Sequence, residues 1–278
     1  MTPADNRITI LVDDQAEDEL TAEHGFALWV ESEGRRILFD TGQGGALENN
    51  ARVLGLDLGQ LEILVLSHGH YDHTGGIRPV VQRARSINIY CHSGVFNPRY
   101  HMRNGTLRPV QMPQESMAAI HSVPFDRLHW VPRPIMLAEK IGTTGPIPRE
   151  TSYEDTGGLF YLDPKGKRPD PIEDDLALWI RTDDGVIVCV GCCHAGLVNT
   201  LNYVRRLSRC QRVRAVIGGF HLLHADRERL DHTIAALQLI EPDLVVPCHC
   251  TGESAVASLR SALGDRVSPG VAGKTFRF

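Results

Sequence analysis

An apolar strand that runs directly into a cluster of polar side chains is the feature that most constrains this chain. Residues 61–66, LEILVL, read as a buried strand, and SHGHYDHTGG follows them. In α/β proteins, functional sites lie at the carboxyl ends of such strands. The four candidate ligands here are His68, His70, Asp72 and His73. Imidazole and carboxylate groups at this spacing favour zinc, iron or manganese, so the segment predicts a metal site.

The second half of the chain partly repeats the first. ALWVESEG at 27–34 resembles ALWIRTDDG at 177–185, and each copy continues into a second apolar strand. Each half then gives a helix and an apolar strand that ends in histidine, at His68 and His221. Two such halves bury their sheets against each other and leave their helices outside. The sequence therefore predicts an α/β fold, a four-layer αββα sandwich, in a single domain over residues 1–278.

Residues 94–172 lack the regular sequence pattern of the two halves. Most of the 16 prolines fall here, and hydrophobic periodicity is weak although apolar residues persist. Long irregular segments in compact domains are often lids or binding loops. We expect an inserted segment that covers the site and sets substrate choice, rather than a linker.

The composition of the chain excludes several classes of protein. Its 278 residues are 42% hydrophobic and 23% charged, with a formal net charge of −5 and no run of Lys or Arg, which disfavours a nucleic-acid partner. We expect no membrane partner, because no segment approaches the roughly 20 apolar residues of a membrane helix. MTPADNRITILVDDQ does not resemble a signal peptide, and seven cysteines, an odd number, favour a reducing cytoplasm. The oligomeric state is left open.

The motifs resemble those of one known superfamily. HxHxDH after an apolar strand, with Asp40-Thr41-Gly42 upstream, resembles the metallo-β-lactamase superfamily, whose fold agrees with the two-half layout. GCCHAGLVN (191–199), GGFHL (218–222) and PCHCTG (247–252) resemble one subgroup of it. That subgroup contains the archaeal enzyme that joins a dihydropterin to ribofuranosylaminobenzene 5′-phosphate, together with metal-dependent hydrolases. The resemblance covers essentially the whole chain.

The resemblance implies a set of metal ligands and a residue that supports them. It places His68 and His70 on a first metal, and Asp72 and His73 on a second. The family's terminal histidine matches His249. A buried family aspartate that hydrogen-bonds behind the ligands matches Asp40.

Two positions depart from the family pattern. Where the family has a bridging aspartate this chain has Gly191-Cys192, and the best replacement for the family's middle histidine is His194. Cys192 is either a ligand or a small buried apolar residue. A thiolate ligand would favour zinc, although manganese and iron stay open. Without a bridging carboxylate, the number of divalent transition metal ions is one or two.

Several further polar residues follow predicted strands. His221 could be a ligand, a proton donor or a helix-entry residue, and we favour a proton donor or substrate contact. Cys248 and Cys250 flank the terminal histidine and should point away from it, as packing residues. Asp174 and Asp175 are expected at a solvated strand start.

The resemblance implies a metallohydrolase that directs a metal-bound hydroxide at a small anionic substrate. Asp72 would orient the nucleophile, and His221 would protonate the leaving group. Arg149, in the subgroup-like TTGPIPRE (143–150), is expected to grip a phosphate through its guanidinium fork. One alternative is a transferase, in which the metals activate a dihydropterin and ribofuranosylaminobenzene 5′-phosphate for bond formation. Another is a metal-binding or sensor protein without catalysis.

Overall fold

Two β-sheets packed face to face form the centre of the protein in the computed structural model, which describes residues 6–84 and 86–278. Residues 1–5 lie outside the described residues. They belong to the predicted domain 1–278 and to the N-terminal segment that does not resemble a signal peptide. The strands in chain order are β1 (Arg7–Val12), β2 (Ala27–Ser32), β3 (Arg35–Phe39), β4 (Ile63–Val65), β5 (Asn88–Cys91), β6 (Tyr100–Arg103), β7 (Thr106–Pro109), β8 (Leu128–Trp130), β9 (Ile135–Met136), β10 (Ile141–Thr143), β11 (Phe160–Tyr161), β12 (Ala177–Thr182), β13 (Gly185–Val190), β14 (Val213–Gly219), β15 (Leu244–Cys248) and β16 (Thr275–Arg277).

Helices cover the outer faces of the two sheets. They are α1 (Leu47–Val53), α2 (Tyr71–Thr74), α3 (Ile77–Arg83), α4 (Gln114–His121), α5 (Leu197–Ser208), α6 (Arg227–Ile240) and α7 (Glu253–Leu263). Side chains of α1, α3 and α4 pack on the first sheet, and those of α5, α6 and α7 pack on the second. This arrangement confirms the predicted four-layer sandwich. Among the described residues, the helices lack the combination of length and apolarity that a membrane span requires.

Each sheet mixes antiparallel and parallel strands. The first has the order β16-β1-β2-β3-β4-β5-β8, and the second has the order β15-β14-β13-β12-β10-β9. The repeated sequence motif forms equivalent antiparallel hairpins, β2–β3 and β12–β13. Parallel pairs follow each hairpin, namely β3–β4–β5 and β13–β14–β15. Parallel neighbours end at the same sheet edge, so their carboxyl ends lie together.

Side-chain alternation explains why the two sheets pack. In β2, Leu28 and Val30 face the central layer, whereas Ala27 and Trp29 face the outer helices. The equivalent strand β12 sends Leu178 and Ile180 into the same central layer. Successive residues of a strand point to opposite faces, so a strand that is apolar throughout has to be covered on both sides.

Left-handed backbone recurs where the strands end near the predicted site. Asp40 follows β3 with φ 61°, Cys193 lies just after β13 with φ 57°, and His221 and His249 follow β14 and β15 with φ 48° and 45°. Non-glycine residues rarely adopt this conformation, and where they do the surrounding structure holds them there, often at functional sites. The four turns therefore mark one edge of the sandwich as specialised.

The insertion predicted at 94–172 includes strands that belong to the two main sheets. Strand β8 pairs with β5 and extends the first sheet, while β9 and β10 continue the second sheet beyond β12. Only the small sheet β11-β6-β7 stands apart from both. Edge strands are short and proline-flanked, so their sequences have weak periodicity and resemble loops.

Candidate metal centre

The HxHxDH segment forms a tight turn between β4 and α2. His68 and His70 precede the helix, and Asp72 and His73 lie within it. All four side chains are buried. Gly69 is essential to this path, because a Cβ there would lie 2.3 Å from a neighbouring carbonyl oxygen. The turn brings His68 Nε2 to 2.9 Å from His70 Nδ1.

Residues from the second half complete two donor groups around one sulfur. The donor atoms of Cys192, His68 and His194 lie within 4.8 Å of one another. Those of Cys192, His73 and His249 also lie within 4.8 Å of one another. Cys192 occurs in both groups, so its sulfur lies between them. Cys193 between them adopts a left-handed conformation, and Cys192 and His194 face the same space.

Hydrogen bonds fix the tautomers of the first-half histidines. Ser67 Oγ donates to Asp40 Oδ2 at 2.6 Å, so it can accept from His68 Nδ1, which lies 2.8 Å away. His73 Nδ1 donates to Asp40 Oδ2 at 2.7 Å. Both rings therefore turn the unprotonated Nε2 towards the site. Asp40, which also accepts from the Ser67 backbone amide at 2.7 Å, holds both histidines from behind.

The second-half histidines are fixed in the same way. His194 Nδ1 donates to the Thr156 carbonyl oxygen at 2.8 Å, and His249 Nδ1 donates to Asp14 Oδ1 at 2.6 Å. The Nε2 atom of His194 is buried without a hydrogen-bond partner among the described residues, and that of His249 lies 3.3 Å from Asp72 Oδ2. His68, His73 and His194 thus direct Nε2 lone pairs into one space, which is the arrangement of metal-binding histidines, and the Nε2 atom of His249 faces the Asp72 carboxylate at the same place.

Electrostatics agree with this fit to a transition metal ion. Burial, reinforced by the other imidazoles, holds the pKa values of His68, His70 and His194 well below the usual range. These rings are neutral at neutral pH, and neutral imidazole is the form that binds metal. Within residues 6–84 and 86–278, His70 Nε2, like that of His194, is a buried nitrogen without a hydrogen-bond partner. Unpaired nitrogens are costly to bury and would be compensated by coordination.

Asp14 and His24 belong to the site but were missed from the sequence. Asp14 accepts from His249 and lies 3.0 Å from His24 Nδ1, and His24 Nε2 lies 3.5 Å from Asp72 Oδ2. The backbone amide of His249 donates to Asp13 at 2.8 Å. Burial acts to lower the pKa of His249, but hydrogen bonds to Asp14 and Asp72 outweigh it and raise the pKa. The sequence feature that could have indicated them is the pair Asp13 and Asp14 directly after β1.

Asp174 and Asp175 are buried, so the expectation of a solvated strand start is wrong. Asp174 Oδ2 accepts from the Gly69 amide and from Arg99 Nη1, each at 2.8 Å, and so ties the HxHxDH turn to the second sheet. Asp175 accepts from the Ala195 amide at 2.7 Å. Burial raises the pKa of Asp175 to about 7. The two carboxyl groups hold the two metal-donor loops through these hydrogen bonds.

His221 lies against the donor groups, with its ring centroid 4.4 Å from that of His194. Burial, together with the charge of Arg229, lowers its pKa to about 3, so the ring is neutral. Cys250 lies beside it: the donor atoms of Cys192, His221 and Cys250 are within 4.8 Å of one another. The expectation that Cys250 points away is wrong, whereas Cys248 packs in the central layer as expected.

The side chain of Arg149 contacts the main chain of His194. Its guanidinium donates to the His194 carbonyl oxygen at 2.7 Å and to the Pro171 carbonyl oxygen at 2.6 Å. It lines a cavity of about 340 Å³ beside Ile172 and Asp175, and the described lining includes none of the metal-donor side chains. Phosphate binding by Arg149 stays a prediction, and the structure gives this side chain a role in supporting the His194 loop.

Part of the proline-rich segment does cover the histidines. The Phe160 ring lies 5.0 Å from the His70 ring and 5.3 Å from the His194 ring, measured between centroids. Next to it, a Cβ at Gly157 would lie 2.1 Å from His221 Nδ1. The segment that contains Thr156, Gly157 and Phe160 therefore forms the roof over the donor groups.

Comparisons with known proteins agree with this fold and site. Residues 20–209 match the sequence model of the Metallo-beta-lactamase superfamily, and the chain belongs to that superfamily. It is 31% identical over 271 residues, covering 92% of this chain and 90% of the relative, to the 7,8-dihydropterin-6-methyl-4-(beta-D-ribofuranosyl)-aminobenzene-5'-phosphate synthase of Methanocaldococcus jannaschii. An uncharacterised protein of the same organism is 31% identical over 256 residues, covering 91% of this chain and 93% of that protein.

A solved structure shares the whole architecture. Tm1679, described as a metal-dependent hydrolase of the beta-lactamase superfamily, superposes with a TM-score of 0.83 at 28% identity, covering 98% of each chain. The two-sheet arrangement is thus that of the superfamily across the full length.

Proposed function

We propose that the protein is a metal-dependent hydrolase of the metallo-β-lactamase superfamily that acts on a small anionic substrate. The observation that carries this proposal is the convergence of four Nε2 atoms, from His68, His73, His194 and His249, around the Cys192 sulfur. Imidazole with thiolate suits zinc best among divalent ions. Seven thiols without a disulfide among the described residues are compatible with the predicted cytoplasmic location.

Each part of the site has a task in this proposal. His68, His70 and His194 would hold one ion, Asp72, His73 and His249 a second, and Cys192 would bridge them. When bound, such ions supply a water of lowered pKa and polarise a substrate oxygen. The carboxylate of Asp72, exposed to the same space, would orient the attacking water. Two further imidazoles, His24 and His221, border this space and are available to move a proton.

An anionic substrate is supported by a buried, incompletely paired guanidinium. Arg229 has a side-chain exposure of 4%, and its Nε and Nη2 atoms have no hydrogen-bond partner among the described residues. Its Nη1 atom donates to Asp155 Oδ1, which also accepts from the amide of Gly157 over the His221 ring, so the guanidinium lies beside the donor groups. Two free N–H groups of one guanidinium match a phosphate or carboxylate. Arg229 therefore joins Arg149 as a candidate anion anchor, and a phosphorylated small molecule is the favoured substrate class.

A condensation reaction is the second candidate function. It is favoured by similarity to the archaeal synthase over 92% of the chain. The same metal ions and anion anchor would bind a dihydropterin and ribofuranosylaminobenzene 5′-phosphate for bond formation instead of hydrolysis. A non-catalytic metal-binding protein is the remaining alternative.

The test is a substrate screen with zinc-loaded and manganese-loaded protein. Phosphomonoesters, phosphodiesters, lactones and thioesters report hydrolysis, and mass spectrometry of the pterin and aminobenzene substrates reports condensation. His194→Ala should abolish activity on the true substrate, whereas His121→Ala, at an exposed position at the end of α4 and outside the donor groups, should retain it. Condensation without hydrolysis would replace the first function with the second. Full metal loading with no turnover in either assay would favour the binding protein.

A further inference from the structure

The turn after β15 directs a second thiol into the metal centre. His249, with φ 45°, begins a short helical turn, His249–Thr251, so the strand alternation that would separate Cys250 from His249 does not continue. Cys250 Sγ lies 3.8 Å from the Cys192 carbonyl oxygen. Its sulfur, the Cys192 sulfur and a ring nitrogen of His221 lie within 4.8 Å of one another. A third donor group therefore shares Cys192 with the other two.

The backbone around Cys250 is built to hold its sulfur there. Thr251 Oγ1 accepts from the Phe220 amide at 3.1 Å, and the Leu223 amide donates to the Cys250 carbonyl oxygen at 3.3 Å. Gly219 leaves the room that the sulfur occupies, since a Cβ there would lie 2.6 Å from it. The turn is thus fixed to the loop that carries His221.

The third member of this group also has an unpaired donor atom. His221 Nδ1 is buried without a hydrogen-bond partner in the described part of the chain. Gly157, with φ 78°, passes directly over this nitrogen, where any Cβ would collide with it. Glycines thus make space on two sides of the group, at Gly157 and at Gly219.

We infer that Cys192, Cys250 and His221 form a further metal position that takes a thiophilic divalent ion such as zinc or cadmium. On binding, each thiol releases its proton to solvent and coordinates as thiolate. Two sulfurs and one nitrogen favour such ions over manganese or magnesium, which prefer oxygen ligands. The inference rests on the proposed metal centre, because Cys192 is shared, but not on the reaction. It assigns His221 to coordination and leaves proton transfer to His24.

The test uses Co²⁺ as the probe and follows the sulfur-to-cobalt charge-transfer absorption of the full chain. Cys250→Ser should lose the part of the absorption that the Cys250 thiolate gives, and zinc X-ray absorption should show fewer sulfur neighbours per zinc at about 2.3 Å than in the parent. Cys248→Ser is the matched control, because Cys248 lies two residues earlier and packs in the central layer. It should keep the parent spectrum. His221→Gln should weaken binding of the additional ion by about tenfold or more while both thiols remain.

Two outcomes would overturn the inference. One is a Cys250→Ser spectrum equal to that of the parent while Cys192→Ser loses all the sulfur absorption. The other is a Cys192–Cys250 disulfide in the metal-loaded protein, detected by mass after alkylation. Circular dichroism establishes that each variant is folded. In either case a parent that still binds metal and hydrolyses a substrate leaves the proposed function intact, whereas a parent without metal removes both.

Discussion

Cys192 Sγ lies 3.1 Å from His73 Nε2, although the two residues are 119 positions apart. His73 belongs to α2 beside the first sheet, and Cys192 follows β13 of the second sheet. Their contact exists only when the two sheets are packed and their carboxyl ends meet. The candidate metal centre is therefore a property of the complete sandwich rather than of either half.

Substitution of Cys192 should change metal stoichiometry according to the new side chain. Cys192→Ser should lose about one equivalent of bound metal, because a hydroxyl is a poor bridging ligand. Cys192→Asp should retain two-metal loading, since a carboxylate oxygen can bridge. Elemental analysis measures both. Cys193→Ser is the control, because its sulfur lies 3.3 Å from Thr200 Oγ1 outside the donor groups. Equal loading of all three variants and the parent would exclude Cys192 as a ligand.

Asp40→Asn should weaken metal binding without removing a ligand. The amide keeps the shape of the carboxylate but loses the charge that orients His73 and, through Ser67, His68. Loss of such a supporting group typically costs about 10- to 100-fold in metal affinity. Competition with a chelator measures this change. Asp57→Asn, at the start of a short turn far from the ligands, should leave the affinity unaltered. An unchanged affinity in Asp40→Asn would contradict the positioning role.

Arg99→Met should destabilise the fold strongly. Arg99 forms buried ion pairs with Asp170 and Asp174, and its removal leaves two buried carboxylates without their cation. Such a loss costs about 3–5 kcal/mol. Arg78→Met removes an exposed pair with Glu115 and should cost about 0–1 kcal/mol. Urea unfolding compares the two variants, and similar midpoints would show that Asp170 and Asp174 find other partners.

Asp175 should make the metal-free protein less stable as pH rises. Its pKa is raised from 3.8 to about 7 by burial, so the folded state binds more protons than the unfolded state between these values. The contribution of Asp175 to the free energy of unfolding is therefore complete below about pH 4. It decreases as the pH rises to about 7, by at most about 1.4 kcal/mol per pH unit. Asp175→Asn should reduce this slope in urea unfolding at pH 5, 6, 7 and 8. An identical slope would show that Asp175 is ionised throughout.

Arg229→Gln should raise KM for an anionic substrate by about 10- to 100-fold, from loss of charge-assisted hydrogen bonds. Arg227→Gln, an exposed residue of the same helix paired with Asp231, is the matched control and should have the parent KM. Arg149→Ala tests the anchor expected from the sequence, with bound metal measured in parallel. If Arg149→Ala alone raises KM with metal retained, the anchor is Arg149 and not Arg229.

Much of the architecture was determined by local sequence pattern. The repeated ALW motifs predicted the equivalent hairpins β2–β3 and β12–β13. HxHxDH predicted the ligand turn because its spacing is short enough to act within one loop. These features depend on side-chain periodicity and on neighbours along the chain, which any sequence displays directly.

Contacts between distant segments were decided by tertiary structure alone. Asp14 and His24 come from before β2, and they meet His249 only because β1 lies beside the end of β15 in the folded protein. Cys250 faces the site because His249 adopts a left-handed conformation, which reverses the side expected from strand alternation. Arg99 and Asp174 pair across a segment whose irregular sequence carries no period. Sequence spacing reports direction only within a regular element, so where the chain turns or crosses between sheets, packing decides which side chains meet.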